Sequence, residues 1–209
     1  RDELMEACAG LTAFETVVLE VLSLFYMAAD TGKIIKVLQD RNERDEKGRN
    51  PNRNTINLPL GKLVEAGLVE RKGQRFICVR SVVELISRRM VEAGRFKTWV
   101  PAVIKWIPYE RYWSGNTYFH TADHAIAHVR LALYANDLKR LDEVLDDVYA
   151  WEDFAPGNQH PVSAILGNPF DGAWLNRFSV DHQGHWLKYM LQDVTRQGAP
   201  PSDIIDYVW

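Results

Sequence analysis

Apolar residues recur at helical spacing from early in the chain. Phe14, Val17, Val18, Val21, Leu22 and Phe25 make one face of a helix, and Thr12 with Glu15 three residues on forms a capping box at its start. Ile34, Ile35 and Leu38 set the inner face of a second, shorter helix. Residues 41–54, RNERDEKGRNPNRN, hold no large apolar side chain and predict a mobile loop. Proline suits the first position of a helix and not its interior, so Pro59 places the start of a third helix at Leu58 or Pro59. Asn57 is then its candidate cap, Leu60, Leu63 and Val64 its inner face, and Gly67 its left-handed stop. The period changes next. LVER and RFICV are two short β-type runs joined by KGQ, a hairpin with glycine in its turn. A fourth helix is predicted over 81–94, capped by Ser81 with Glu84 and closed by Gly94.

After Arg95 the strand signals fade. FKTWVPAVIKWI reads as helical, interrupted by Pro101 and ended by Pro108. One long helix is expected over 117–137, with Ala122, Ile126, Val129 and Leu133 inward and its histidines on the opposite side, around Leu131. Another follows over 137–153, with Leu138, Leu141, Leu145 and Val148 inward; FAPGNQHP is a loop. DGAWLNRF, DHQGHWLKYMLQDVTRQG and SDIIDYVW add helices or turns, the second closing at Gly198.

Helix, helix, helix and hairpin over residues 12–79 resemble the winged helix-turn-helix superfamily. Leu60, Leu63, Val64, Gly67, Leu68 and Val69 carry the resemblance, with ERKGQRF as the wing. The fold implied is mostly α: a winged helix-turn-helix domain with a small β-hairpin wing over 1–95, then an all-helical domain over 96–209. ALYANDLKRLDEVL makes that second part loosely resemble a tetratricopeptide-type array of helical hairpins. The superfamily resemblance implies a third helix that enters the major groove of double-stranded DNA. Arg53, Arg71, Lys72 and Arg75 would then meet phosphates, with Asn54, Asn57 and Lys62 on or before that helix. The helix as placed offers Pro59, Lys62 and Glu65 outward and no arginine, which predicts nonspecific or weakly specific binding. Winged helices also dock proteins, so the second expectation is an interaction scaffold from a larger ATPase or helicase-type protein, a reading to which the absence of an initial Met adds.

Charge adds to the first of these. Residues 33–97 carry sixteen bases against eight acids, net +8, between flanks of −5 and −6. The acidic helical part is expected to serve homodimer or partner contact. Two cysteines without CxxC spacing exclude a zinc ribbon and fit a cytoplasmic setting. The most apolar run, 16–29, is too short for a membrane span, and no signal peptide pattern precedes it. Walker, Rossmann and GxSxG patterns are absent, so no cofactor is expected and the chain is read as a non-enzyme. One constellation points elsewhere. His120, His124 and His128 recur at four-residue steps, and two histidines so spaced can share a metal, as in a hydrolase. The third lies about 12 Å along the axis from the first and cannot join them. His120, His124 and Asp123, with His182 or His185, are the candidate ligands. All seven tryptophans lie beyond residue 98, and core filling explains them best.

Overall fold

The computed structural model describes residues 2–111, 117–151, 160–167, 170–198 and 202–208. The chain is mostly helical with a small antiparallel sheet near its N-terminal end. No helix among these residues is long and apolar enough to cross a membrane.

Helix α1 (Asp2–Ala9) precedes α2 (Ala13–Phe25), which begins with the expected box: the Thr12 hydroxyl accepts the Glu15 N–H, and the Glu15 carboxylate accepts the Thr12 N–H at 2.9 Å. Buried residues surround α2 on every side, so it forms the axis of the core. Strand β1 (Ala29–Asp30) leads into α3 (Thr31–Asp40), where Asp30 caps the helix through the Lys33 N–H at 2.9 Å. Then come α4 (Arg53–Glu65) and a hairpin of β2 (Val69–Lys72) and β3 (Arg75–Cys78). The sheet order is β1-β3-β2, with Ala29 opposite Phe76, Asp30 opposite Arg75 and Val69 opposite Cys78.

Helix α4 starts earlier than Pro59 suggests. Asn52 caps it, accepting the Asn54 and Thr55 N–H groups at 2.9 and 3.2 Å, while the Thr55 hydroxyl accepts the Asn52 N–H at 2.9 Å. Pro59 therefore lies inside the helix and is buried; it forfeits one bond to the Thr55 carbonyl, and the cap together with the packing of Ile56, Leu60 and Leu63 outweighs that loss. Gly67 takes a φ of 69° after the last turn, and the Leu68 N–H reaches back to the Leu63 carbonyl at 3.0 Å, closing the helix as glycine allows.

Helix α5 (Arg80–Glu92) begins one residue before the expected cap, and no side chain caps it; Glu84 turns inward instead. In α6 (Phe96–Val103) Pro101 sits within the helix, and a 3-10 turn (Ile104–Trp106) follows. Beyond it lies a strand pair that the sequence did not announce, β4 (Glu110–Arg111) with β5 (Thr117–Tyr118). Helix α7 (Ala122–Tyr134) is shorter than expected because Thr121 caps it, and α8 (Leu138–Ala150) packs back along it. Two faces were expected for α7; instead residues 125–134 are buried all round, His128 and Leu131 included, because helices cover both sides. Next come α9 (Pro161–Leu166), α10 (Gly172–Leu175), α11 (Val180–Gln197) and α12 (Ser202–Val208). Gly198 ends α11 in the left-handed conformation, as expected. Trp99, Trp174 and Trp186 are buried in the core, while the Trp113 register and most of FAPGNQHP lie outside the described residues.

Candidate nucleic-acid interface

The earlier start of α4 changes what the helix shows to solvent. Ile56, Pro59, Leu60 and Leu63 face the core, so Arg53, Asn54, Asn57, Leu58, Gly61, Lys62 and Glu65 face out. An arginine and two asparagines thus occupy the exposed N-terminal half, with Leu58 standing 67% exposed among them.

On one flank of this ridge lies a groove of about 860 Å³ between α4, the start of α3 and the hairpin. Arg53 and Asn57 line it from the helix, and Arg71 and Phe76 from the sheet. Pairing explains the far wall. Arg71 stands opposite Phe76, so both point to the same sheet face as the buried Val69 and Cys78, and past the core that face becomes the groove wall. The Arg71 guanidinium lies 6.0 Å from the Phe76 ring and donates from Nε to the Gly73 carbonyl at 3.0 Å. Asp30 and Glu65 also line the groove, so its two arginines face two carboxylates.

The seven predicted contact residues do not share one surface. Arg53, Asn57 and Arg71 line the groove. Asn54 and Lys62 line a smaller depression of about 170 Å³ on the other flank of α4. There the Lys62 ammonium is 2.6 Å from the carboxylate of Glu15, whose side chain is only 5% exposed. Burial pushes the Glu15 carboxyl up, but Lys62 and the Thr12 groups together hold it below the usual range. Lys72 and Arg75 are cross-strand partners on the sheet face away from the groove, and Lys72 lies 3.9 Å from Glu70. The basic middle segment is thus divided by strand alternation and helix phase.

His120, just before α7, and His124, in its first turn, lie apart from this surface. The His120 and His124 ring centres are 5.9 Å apart, and His120 Nε2 is 3.2 Å from Glu110. Asp123 is taken by Arg80 at 2.8 Å. His182 stands 3.7 Å from Asp142 on α8, and His185 packs edge-on against Tyr189. Among the described residues no three His, Cys, Asp or Glu side chains come together in a way that could hold a metal ion. Both cysteines are free thiols, and burial pushes the Cys78 thiol up to about 12.

Asp30, Thr31, Gly32 and Gln74 belong to the groove and were not foreseen, whereas Glu65 was expected on the outer face of the helix. The pairing of β1 with β3 brings the start of α3 beside the hairpin, and two-residue strands leave no periodic trace. Compared with known protein families, curated proteins and solved structures, the chain has no match.

Proposed function

We propose that residues 12–79 are a winged-helix module that docks on double-stranded DNA, with α4 as the inserted helix and the β2–β3 hairpin as the wing. The observation that carries this reading is the convergence of Arg53, Asn57 and Arg71 on one groove beside an outward helix that begins with Arg53 and Asn54. Arginines on the rim suit phosphates, and asparagine amides near the start of an inserted helix are placed to meet base edges, adenine above all. The strand β1 between α2 and α3, paired to the wing strand β3, supports the same architecture. Asp30 and Glu65 in the groove, and Lys62 committed to Glu15, keep the affinity low and the sequence preference slight.

Titration of a labelled duplex at low salt tests this. Binding in the micromolar range is expected, weakening as salt rises with a logarithmic slope of about −2 to −4. Arg53→Ala and Arg71→Ala should each weaken it about three- to tenfold and flatten the slope by about one. A native chain that leaves the duplex unbound at low salt overturns the proposal.

A second reading is favoured by one specific feature. Leu58 is the centre of a ridge flanked by both signs of charge, the arrangement of a protein interface with an apolar middle and a polar rim. Under that reading Leu58→Asp abolishes capture of a protein partner.

A further inference from the structure

Between α3 and α4 the chain makes a built turn, where the sequence suggested a mobile loop. Asp45 is buried at 8% exposure and organises it. One carboxylate oxygen accepts the Lys47 and Arg49 N–H groups at 2.9 and 2.8 Å, and the other accepts Arg49 Nε at 2.7 Å. The Asp45 N–H donates to the Arg49 carbonyl at 2.9 Å, and the Gly48 N–H returns to the Asp45 carbonyl at 2.8 Å with a φ of 72° at Gly48. Arg44 bonds the Asn50 side chain, and Gln39 Nε2 holds the Pro51 carbonyl at 2.8 Å.

This turn sets cations along the flank of α4 that faces away from the wing. Lys47 and Arg49 line the same depression as Asn54, Leu58 and Lys62. The Arg49 side chain remains 57% exposed despite its bond to Asp45, and Arg44 and Lys47 are exposed. The outward ridge of α4 therefore runs between two groups of cations: Arg53 with Arg71 on the groove side, Lys47 with Arg49 on the other. A helix with its side chains is about 10–12 Å across, close to the width of the major groove, and a sugar-phosphate strand borders it on each side. Cations on a single flank could neutralise only one strand.

We propose that the turn from Arg44 to Asn50 is a second phosphate-binding arm, which grips the strand opposite the one met by the wing and so makes the site selective for duplex over single-stranded DNA. The inference rests on the DNA reading of α4. Glu46 is the exposed carboxylate of the turn and keeps the arm to weak, salt-exchangeable contacts.

The test is the double charge reversal Arg44→Glu with Lys47→Glu, set beside Arg71→Glu and read by fluorescence anisotropy on a labelled duplex and on one of its strands. Lys47 gives Asp45 only its backbone N–H, and Arg44 gives it nothing, so the Asp45 bonds survive the reversal; thermal melting followed by circular dichroism checks this. Duplex affinity should fall about tenfold or more and the salt slope should flatten by about two, while single-strand affinity changes less than about twofold. Unchanged duplex affinity in the double variant, with Arg71→Glu still weakening it, overturns the arm and leaves the DNA reading standing. Equal losses on duplex and single strand overturn the selectivity. Absence of duplex binding by the native chain removes both the reading and the arm.

Discussion

His128 and His160 are the two histidines that the fold withdraws from water, at 1% and 6% exposure. His128 lies against Tyr109, with ring centres 4.8 Å apart, and near Phe119. His160 stacks on Tyr189 at 4.0 Å and caps α9, its Nδ1 accepting the Val162 N–H at 3.2 Å. That bond assigns the proton to Nε2, which donates to the Tyr149 hydroxyl at 2.7 Å. Burial above all lowers both rings to about 4; Arg140 adds to the effect at His128, and His185 at His160. An unfolded chain binds a proton at each ring below about 6.5, whereas the folded chain resists until about 4. The contribution is therefore complete above pH 6.5 and declines as the pH falls through that window, by up to about 3 kcal/mol per ring. Urea midpoints measured from pH 7 down to about 5 should fall steadily. His128→Phe, which suits a ring-lined site, should remove about half of that decline, and a flat profile in the native chain would contradict the account.

At the scale of elements, α4 shows what the sequence can and cannot disclose. The run NPNRNT contains a capping signal, Asn52 with Thr55, but Pro59 points to a later start by an equally valid local rule. The competition is decided by the burial of Ile56, Leu60 and Leu63 as α4 packs against α2, α3 and β2, which no local pattern reports. The Thr12–Glu15 box was legible because nothing contradicts it; the Ser81 box was not realised because Glu84 is claimed by Arg130, 46 residues away, at 2.9 Å. The site follows the same logic. Arg53, Asn57 and Arg71 could be picked out by residue type, but the separation of Lys72 and Arg75 from them depends on strand phase, and the pairing of Lys62 with Glu15 on a contact across 47 positions. Asn52→Ala should cost about 1 kcal/mol and speed hydrogen exchange at the Asn54 and Thr55 amides, while Asn52→Asp restores both. Unaltered exchange in the alanine variant would mean that packing alone holds the first turn, and with it Arg53.

At the scale of the whole molecule, the division expected at residue 95 meets a core that runs across it. Residues from α2 and α5 on one side of it and from α6, α7 and α9 on the other belong to one continuous apolar cluster. Arg130 of α7 is fully buried on the far side of that division from its partners. Its guanidinium bonds Glu84 and the Ser23 carbonyl at 2.9 Å each and the Ser87 hydroxyl, while Tyr134 bonds the other oxygen of Glu84. The Tyr26 ring, in a left-handed backbone conformation at φ 61°, lies 5.1 Å from Arg130 and 3.7 Å from Arg80, and Arg80 in turn holds Asp123. A buried charge severed from its partner costs about 3–5 kcal/mol, so separating the two halves would strand Glu84 on one side and Arg130 on the other. Cooperative unfolding of the entire chain follows. Every tryptophan lies after residue 98, so tryptophan fluorescence reports the second half, whereas far-ultraviolet circular dichroism reports both. The two denaturation curves should coincide in midpoint and steepness. Polypeptides 1–95 and 96–209 should each fail to give a cooperative transition alone; a sharp transition in either piece, or two separated midpoints in the intact chain, would show that the halves fold independently.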